Sequence, residues 1–300
     1  MVSCFLYATQ YPCRIIADIR GGNRKPSRLV PLKEVVVDFE TIKLEKQDGI
    51  AVLTLNRPHR HNAISGAMTR ELPKAWADIK ADPNVVVVIV TGAGERALCT
   101  GIDVGEVAAG GAQVGEPDKA GTLESVMFTA IHNKCWKPVI TAVNGMVVGG
   151  GLHFIADSDI IICSDNATFF DTHVKVGLVS AQEPVGLTRR IPLETVLRMS
   201  LMGGAERMSA QRAYEIGLVS QVVPFKDLMP TAKDIAKKIM GNSPAAMMRT
   251  KRAIWEGLDY GLDKALEHAW DIISSHRGHP DSKEGAMAFA QKRQPSWQKT

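Results

Sequence analysis

Along the chain the apolar positions change period several times, and each change marks an element. In "TIKLEKQDGIAVLTLN" they alternate at Ile42 and Leu44, break at Asp48-Gly49, and resume at Ile50, Val52, Leu53 and Leu55. Alternation on both sides of an Asp-Gly pair predicts a β-hairpin. "SGAMTRELPKAWADIKAD" switches to helical spacing with Ser65 as N-cap, although Pro73 interrupts it. "VVVVIVTG" has no alternation, which predicts a strand buried on both faces. A glycine-rich loop follows from Gly101 to Gly121, then a helix around Leu123–Asn133, the short strand "PVITAV", the triplet Gly149–Gly151, another helix and the strand "DIIIC". Such alternation of strand and helix predicts an α/β layered architecture.

The last third changes character. "MSAQRAYEIGLV" starts at an N-cap Ser209 and stops at Gly217; "NSPAAMMRTKRAIWEGL" has Ser243 as N-cap and Pro244 at the first helical position. Asp281 and Glu284 stand at capping-box spacing in "DSKEGAMAFAQKR". From about residue 230 onward the chain reads as mostly helices.

Charge narrows the function classes. The net +4 of the 300 residues resides in residues 1–34, where six basic groups face two acidic ones; the rest is balanced, with 30 of each. The body therefore lacks the electrostatic footprint of a nucleic-acid binder. The segment around "RGGNRKPSR" is turn-rich, lacks a clean apolar run, and reads as a loosely attached basic arm (residues 1–35) rather than a secretory signal, an organelle transit peptide being the alternative. Five cysteines without close pairing suit a reducing, cytoplasmic setting. No apolar run is long enough to predict a membrane span.

Candidate chemistry gathers at two glycine loops, each following a strand: "TGAGERALCTGID" and "NGMVVGGG". Glycines at a helix start let backbone N–H groups face a ligand, and two such loops together make an oxyanion hole. "GAGERA" also imitates a dinucleotide-binding fingerprint, but no strand ending in an acidic residue follows about 20 residues on.

"NRPHRHNAIS", "VVVVIVTGAGERALCTGIDVGEV", "KPVITAVNGMVVGGGLHFIADSDIIICSDNATF", "MSAQRAYEIGLVSQVVP" and "EGAMAFAQKR" together resemble the enoyl-CoA hydratase/isomerase (crotonase) superfamily, over roughly Phe39 to Pro295. The resemblance implies a crotonase-like ββα spiral core (36–230) with a C-terminal helical region (231–300) for oligomerisation. It implies a homotrimer or homohexamer and an acyl-CoA substrate, with no cofactor beyond the coenzyme A of the thioester. It puts the oxyanion donors at the N–H groups of Ile102 and Gly150. Both family glutamates are replaced, by His153 and His173, while Glu183 falls in the turn after them. Imidazole works as acid or base near neutrality, so His153 and His173 are expected to move protons, with Glu183 orienting one of them. The implied CoA surface comprises Arg57, Ala63, Asp103, Val104, Gly105, Phe289 and Lys292, with Arg60 and Arg96 as further phosphate partners. His153, His173 and Glu183 have the donor types of a zinc set, but neither spacing nor resemblance supports one, and no metal is expected. Cys99 reads as a packing residue, and Asp157 and Asp159 as structural.

The first expectation is a hydratase-like acyl-CoA lyase acting through a thioester enolate. C–C hydrolysis, decarboxylation or isomerisation on the same enolate is the enzymatic alternative. A non-catalytic acyl-CoA binder is the third reading, marked by tight binding without turnover.

Overall fold

A computed structural model describes residues 39–110 and 125–300. The expectations for the basic arm, for residues 111–121 of the glycine-rich loop and for Leu123 lie outside the described residues.

The hairpin forms as the alternation predicts. β1 (Ile42–Gln47) and β2 (Ile50–Leu55) pair antiparallel, and Asp48 and Gly49 both take positive φ, 51° and 83°, as a two-residue type I′ turn requires. After it come α1 (Gly66–Ala81) and three successive strand pairs: β3 (Val87–Gly92) with β4 (Ala97–Cys99), β5 (Val139–Val143) with β6 (Met146–Val148), and β7 (Ile160–Ser164) with β8 (Thr168–Phe170). The first strand of each pair joins one sheet and the second joins another. With β9 (Met208–Ser209) and β10 (Gln221–Val223), this gives a six-stranded sheet, β1-β2-β3-β5-β7-β10, and a four-stranded sheet, β4-β6-β8-β9. The chain thus advances as a spiral, with one strand in each sheet per turn. Buried amides pin the turns together: Asn144 accepts from the Gly92 N–H (3.1 Å) and donates to the carbonyls of Gly94 and Ala97 (2.7 and 3.0 Å).

One core fills the spiral, around Leu53, Trp76, Leu98 and Phe169. A second lies on the other face of the large sheet, where Leu228, Ala232 and Ala236 of α7 (Phe225–Met240) cover Ile50, Val87, Ile89, Ile140 and Ile162. Both faces are therefore covered, which is why β3 reads as an unbroken apolar run. The boundary expected between residues 230 and 231 falls inside α7. Helices α8 (Pro244–Gly257), α9 (Leu262–Ser275) and α10 (Pro280–Ala290) follow.

Most predicted caps form. Ser65 accepts from Met68 N (3.1 Å), Ser209 from Arg212 N (3.2 Å) and Ser243 from Ala246 N (3.2 Å). Pro73 stays inside α1, where its missing N–H leaves one helical bond unmade.

Two expectations fail. From Ser125 to Lys134 the chain makes turns instead of a continuous helix. The Phe128 carbonyl accepts from the distant Trp76 indole (2.8 Å) and the His132 N–H donates to the Thr129 hydroxyl (3.5 Å), so partners outside the helical pattern take these groups. The capping box at Asp281 and Glu284 does not form either. α10 starts earlier, capped by His279, whose Nδ1 accepts from Asp281 N (3.2 Å); Asp281 is buried against Ser243, and Glu284 pairs with Arg293. Among the described residues no helix is long and apolar enough to cross a membrane.

Candidate active site

The two glycine loops leave the C-terminal ends of β4 and β6, which pair in parallel, so the fold brings them side by side. Ile102 forms an isolated parallel bridge with Ile64: Ile64 N donates to Gly101 O (2.8 Å) and Asp103 N donates to Ile64 O (2.9 Å). Successive groups of an extended chain point to opposite sides, so the Ile102 N–H faces away from Ile64. On that side stands the triplet. A Cβ built on Gly150 would lie 3.8 Å from Ile102 N, and one on Gly101 only 3.0 Å from Gly150 N. Gly150 sits in the first turn of a 3-10 segment (Gly149–Leu152), where an N–H has no partner within the turn. Gly149 needs its glycine for a φ of +51°, and Gly151 because a Cβ would meet Cys99 O at 2.4 Å.

Ile102, Gly149 and Gly150 line one cavity of about 610 Å³. His173 also lines it, its ring over Gly149: Cε1 is 3.4 Å from where a Cβ of that glycine would stand. Asp171, fully buried, holds this ring. Its Oδ1 lies 2.7 Å from His173 Nδ1 and accepts from the His173 N–H at 2.9 Å, while the Ser180 hydroxyl donates to Oδ2. This arrangement assigns the proton to Nδ1 and leaves Nε2 as the working atom. The bond to Asp171 raises the His173 pKa above 6.5, against the effect of burial, with Glu183 adding to the rise. Burial works against the Asp171 carboxylate, but its hydrogen bonds to His173 and Ser180 hold its pKa below the usual range.

Glu183 enters from the first turn of α4 (Gln182–Leu187). It is buried, with Oε1 3.8 Å from the Cβ position of Gly150 and 3.3 Å from His153 Nε2. Burial raises its pKa. His153 opens α3 (His153–Ala156) and is 4% exposed, edge-on to Phe128 and His132 at ring distances of 5.8 and 5.3 Å. Burial drives its pKa down to about 4, opposed by Asp157. His153 is therefore neutral at physiological pH, and neither it nor Glu183 is among the residues lining the cavity.

Of the other expected residues, Ala63, Asp103, Val104 and Gly105 line the same cavity, together with Arg60. Arg57 does not. Its guanidinium is spent inside the wall on Ala63 O (2.7 Å), Asp103 (3.0 Å) and Glu106 (3.0 Å). The Asp103 side chain is also spent there, capping α2 (Val104–Ala108) through the N–H groups of Gly105 and Glu106. Arg96 is exposed outside the lining, and its carbonyl accepts from Met146 N. Phe289, 88% exposed on α10, and the exposed Lys292 lie outside it too. Burial pushes the Cys99 thiol up to about 12, which rules out a thiolate nucleophile at neutral pH. Asp159 is structural, bound to Val139 N (2.7 Å), Trp255 Nε1 (2.8 Å) and Lys251 (2.7 Å). Sequence reasoning missed Asp171, Ser180 and the cavity residues His59 and His61. The usable signal was Asp171 two residues before His173.

The enoyl-CoA hydratase/isomerase family model matches residues 45–300. The chain is 35% identical over 257 residues to an (E)-benzylidenesuccinyl-CoA hydratase of Thauera aromatica, covering 85% of this chain and 98% of that one. It is 34% identical to a short-chain-enoyl-CoA hydratase of Clostridium acetobutylicum, covering 86% and 97%. A crystal structure of an enoyl-CoA hydratase/isomerase from Mycobacterium paratuberculosis superposes with a TM-score of 0.82 at 41% identity, covering 88% of this chain and all of that one. The spiral of strand pairs, the paired glycine loops and these likenesses agree: the chain belongs to the enoyl-CoA hydratase/isomerase (crotonase) family.

Proposed function

We propose that this enzyme adds water across the double bond of an enoyl-CoA thioester, and removes it in reverse, with Glu183 and His173 as its acid–base pair. The observation that carries this reading is that both side chains flank the glycine triplet beside Ile102. The thioester oxygen accepts hydrogen bonds from the N–H groups of Ile102 and Gly150, which stabilise the enolate charge. A water held by the Glu183 carboxylate gives it a proton while its oxygen bonds to Cβ. Cα then takes a proton from Nε2 of protonated His173, steadied by Asp171. Passage of the proton from Glu183 to His173 resets the site, and the net change is addition of one water. The carboxylate role thus falls to Glu183, and His153 serves as its buried neutral neighbour.

Arg60, His59 and His61 on the cavity rim offer cationic or donor groups to the CoA phosphates. Phe289 and Lys292 have the chemistry to stack on adenine and meet a phosphate, and we include both in the proposed CoA surface. Self-association as a trimer or hexamer is also part of this reading. α9 exposes Leu262, Leu266, Trp270 and Ile273 along one stripe, an apolar face suited to a second copy. Sedimentation velocity tests it; a monomer at micromolar concentration would remove this part.

The Asp171–His173 pair favours a second reading, in which His173 activates water for hydrolytic cleavage of a C–C bond in a β-keto thioester. One experiment separates the two. Enoyl- and β-keto-CoA thioesters of short, long, aromatic and cyclic acyl groups are incubated with enzyme in deuterated water, and products are read by NMR. Hydration, lost in Glu183→Gln and His173→Ala, supports the first reading. Release of a carbon fragment supports the second, and tight binding without turnover overturns both.

A further inference from the structure

Next to Glu183 and outside the cavity lining lies a second cluster that this chemistry does not use. We infer that His132, His153 and Asp157 form a binding site for a divalent transition-metal ion of the zinc class. One donor atom from each lies within 4.8 Å of the other two. His132 Nε2 and Asp157 Oδ2 are 3.4 Å apart. Zinc bonds of about 2.0–2.2 Å place neighbouring tetrahedral ligands roughly 3.3–3.5 Å apart, so this pair already spans one edge of such a shell.

The surroundings are those that hold metal ligands in place. A metal-bound imidazole usually donates its other ring N–H to a carboxylate. His153 Nε2 lies 3.3 Å from such a carboxylate, Glu183 Oε1, and a proton on Nε2 leaves the Nδ1 lone pair for a metal. Asp157 Oδ2 accepts from the Thr129 hydroxyl at 2.8 Å, which orients it in turn. Two imidazoles and a carboxylate are donor types suited to a cation of this class. Arg190, bonded to Ala156 O (2.6 Å), is an opposing positive charge close enough to interact with Asp157. The side chain of His132 is 26% exposed, which gives an ion a way in. Three protein ligands leave a fourth position for water, the pattern of an open zinc site. His153, 3.3 Å from Glu183, links the metal site to the acid–base pair.

The test is metal binding itself, which reads out without any substrate. Full-length protein freed of metal with a chelator is titrated with zinc sulfate by calorimetry and with cobalt(II) by visible absorbance. One saturable equivalent per chain is expected, with the cobalt bands of a four-coordinate nitrogen–oxygen site. His132→Ala and Asp157→Asn should each weaken binding at least 10-fold. Thr129→Val, which removes only the hydroxyl that holds Asp157, should weaken it about 10-fold. His276→Ala should change nothing, since its ring stacks on His279 in a separate histidine pair. No saturable binding up to millimolar zinc would overturn the inference. So would binding that survives both His132→Ala and Asp157→Asn, or that disappears in His276→Ala. If a variant does not fold, the wild-type cobalt spectrum decides: absence of four-coordinate bands rejects the site.

Discussion

The two sides of the glycine triplet carry a histidine each, and the two histidines are opposites. On the closed side, His153 is 4% exposed, and burial drives its pKa down to about 4. On the open side, His173 lines the cavity and is held by Asp171 at 2.7 Å, which raises its pKa. The motif resemblance treats them as equivalent, expecting each where the family pattern has a glutamate. Their neighbours make one a buried neutral ring and the other a ring that holds its proton more tightly than a free imidazole. Glu183 separates them, 3.3 Å from the first and close enough to raise the pKa of the second. Residue type at a motif position therefore does not fix its chemistry. Burial and the nearest carboxylate do.

The comparison breaks most readily at Glu183. Glu183→Gln keeps the size and removes the carboxylate, and should lower kcat for the best substrate by roughly 10²–10⁴-fold, the range of a lost general base. Retention of a tenth of the activity would return the base role to His153. His173→Ala should cost about 10²-fold in kcat with a smaller change in KM, because a proton-transfer group acts in the transition state. Equal loss in both constants at unchanged fold would make His173 a binding residue instead.

How far the sequence disclosed this depends on the kind of interaction. The hairpin, the buried strand and the serine caps were legible because periodicity and capping are local. The paired glycine loops were legible because glycine has few reasons to cluster after two strands. The diverted segment at Ser125–Lys134 was not, because it depends on Trp76, some fifty residues away, taking the Phe128 carbonyl. Arg57 looked like a phosphate ligand, since an arginine in a turn is usually solvated; its two acidic partners, Asp103 and Glu106, arrive from the cap and first turn of α2. The inequality of the two histidines was invisible for the same reason, as His132, Phe128 and Glu183 reach His153 only through the fold.

His153→Ala sharpens the contrast from the other side. It leaves a void beside Phe128 and removes the neighbour of Glu183, without removing an atom that faces substrate. Stability should fall by about 1–3 kcal/mol, the range for truncating a buried side chain. In enzyme that remains folded, kcat should fall by less than about 10-fold, well short of the His173→Ala loss. Chemical denaturation paired with steady-state kinetics below the melting range measures both. A kcat loss as large as that of His173→Ala would make the two histidines a working pair after all.

The smallest effect concerns the bond that sets His173 apart. Its folded pKa is raised above 6.5, so the folded state holds the proton more tightly; that stabilisation is complete below pH 6.5 and is lost as pH rises through the folded value. Asp171 is depressed below 3.8, so its contribution is present above that pH and is lost as pH falls through the folded value. Both shifts describe one interaction and are not added. Wild type should therefore exceed Asp171→Asn in stability most between about pH 4 and 6.5. The hydrogen bond to a charged partner sets the scale, about 1.5–3 kcal/mol. Above the folded pKa of His173 the difference should shrink without vanishing, because a neutral ring with its proton on Nδ1 still donates to the carboxylate. Melting temperatures of the two proteins from pH 4.5 to 9 give the curve. A difference that stays flat across that range would mean His173 never carries its charge in the folded enzyme, and the open side of the triplet would then match the closed one.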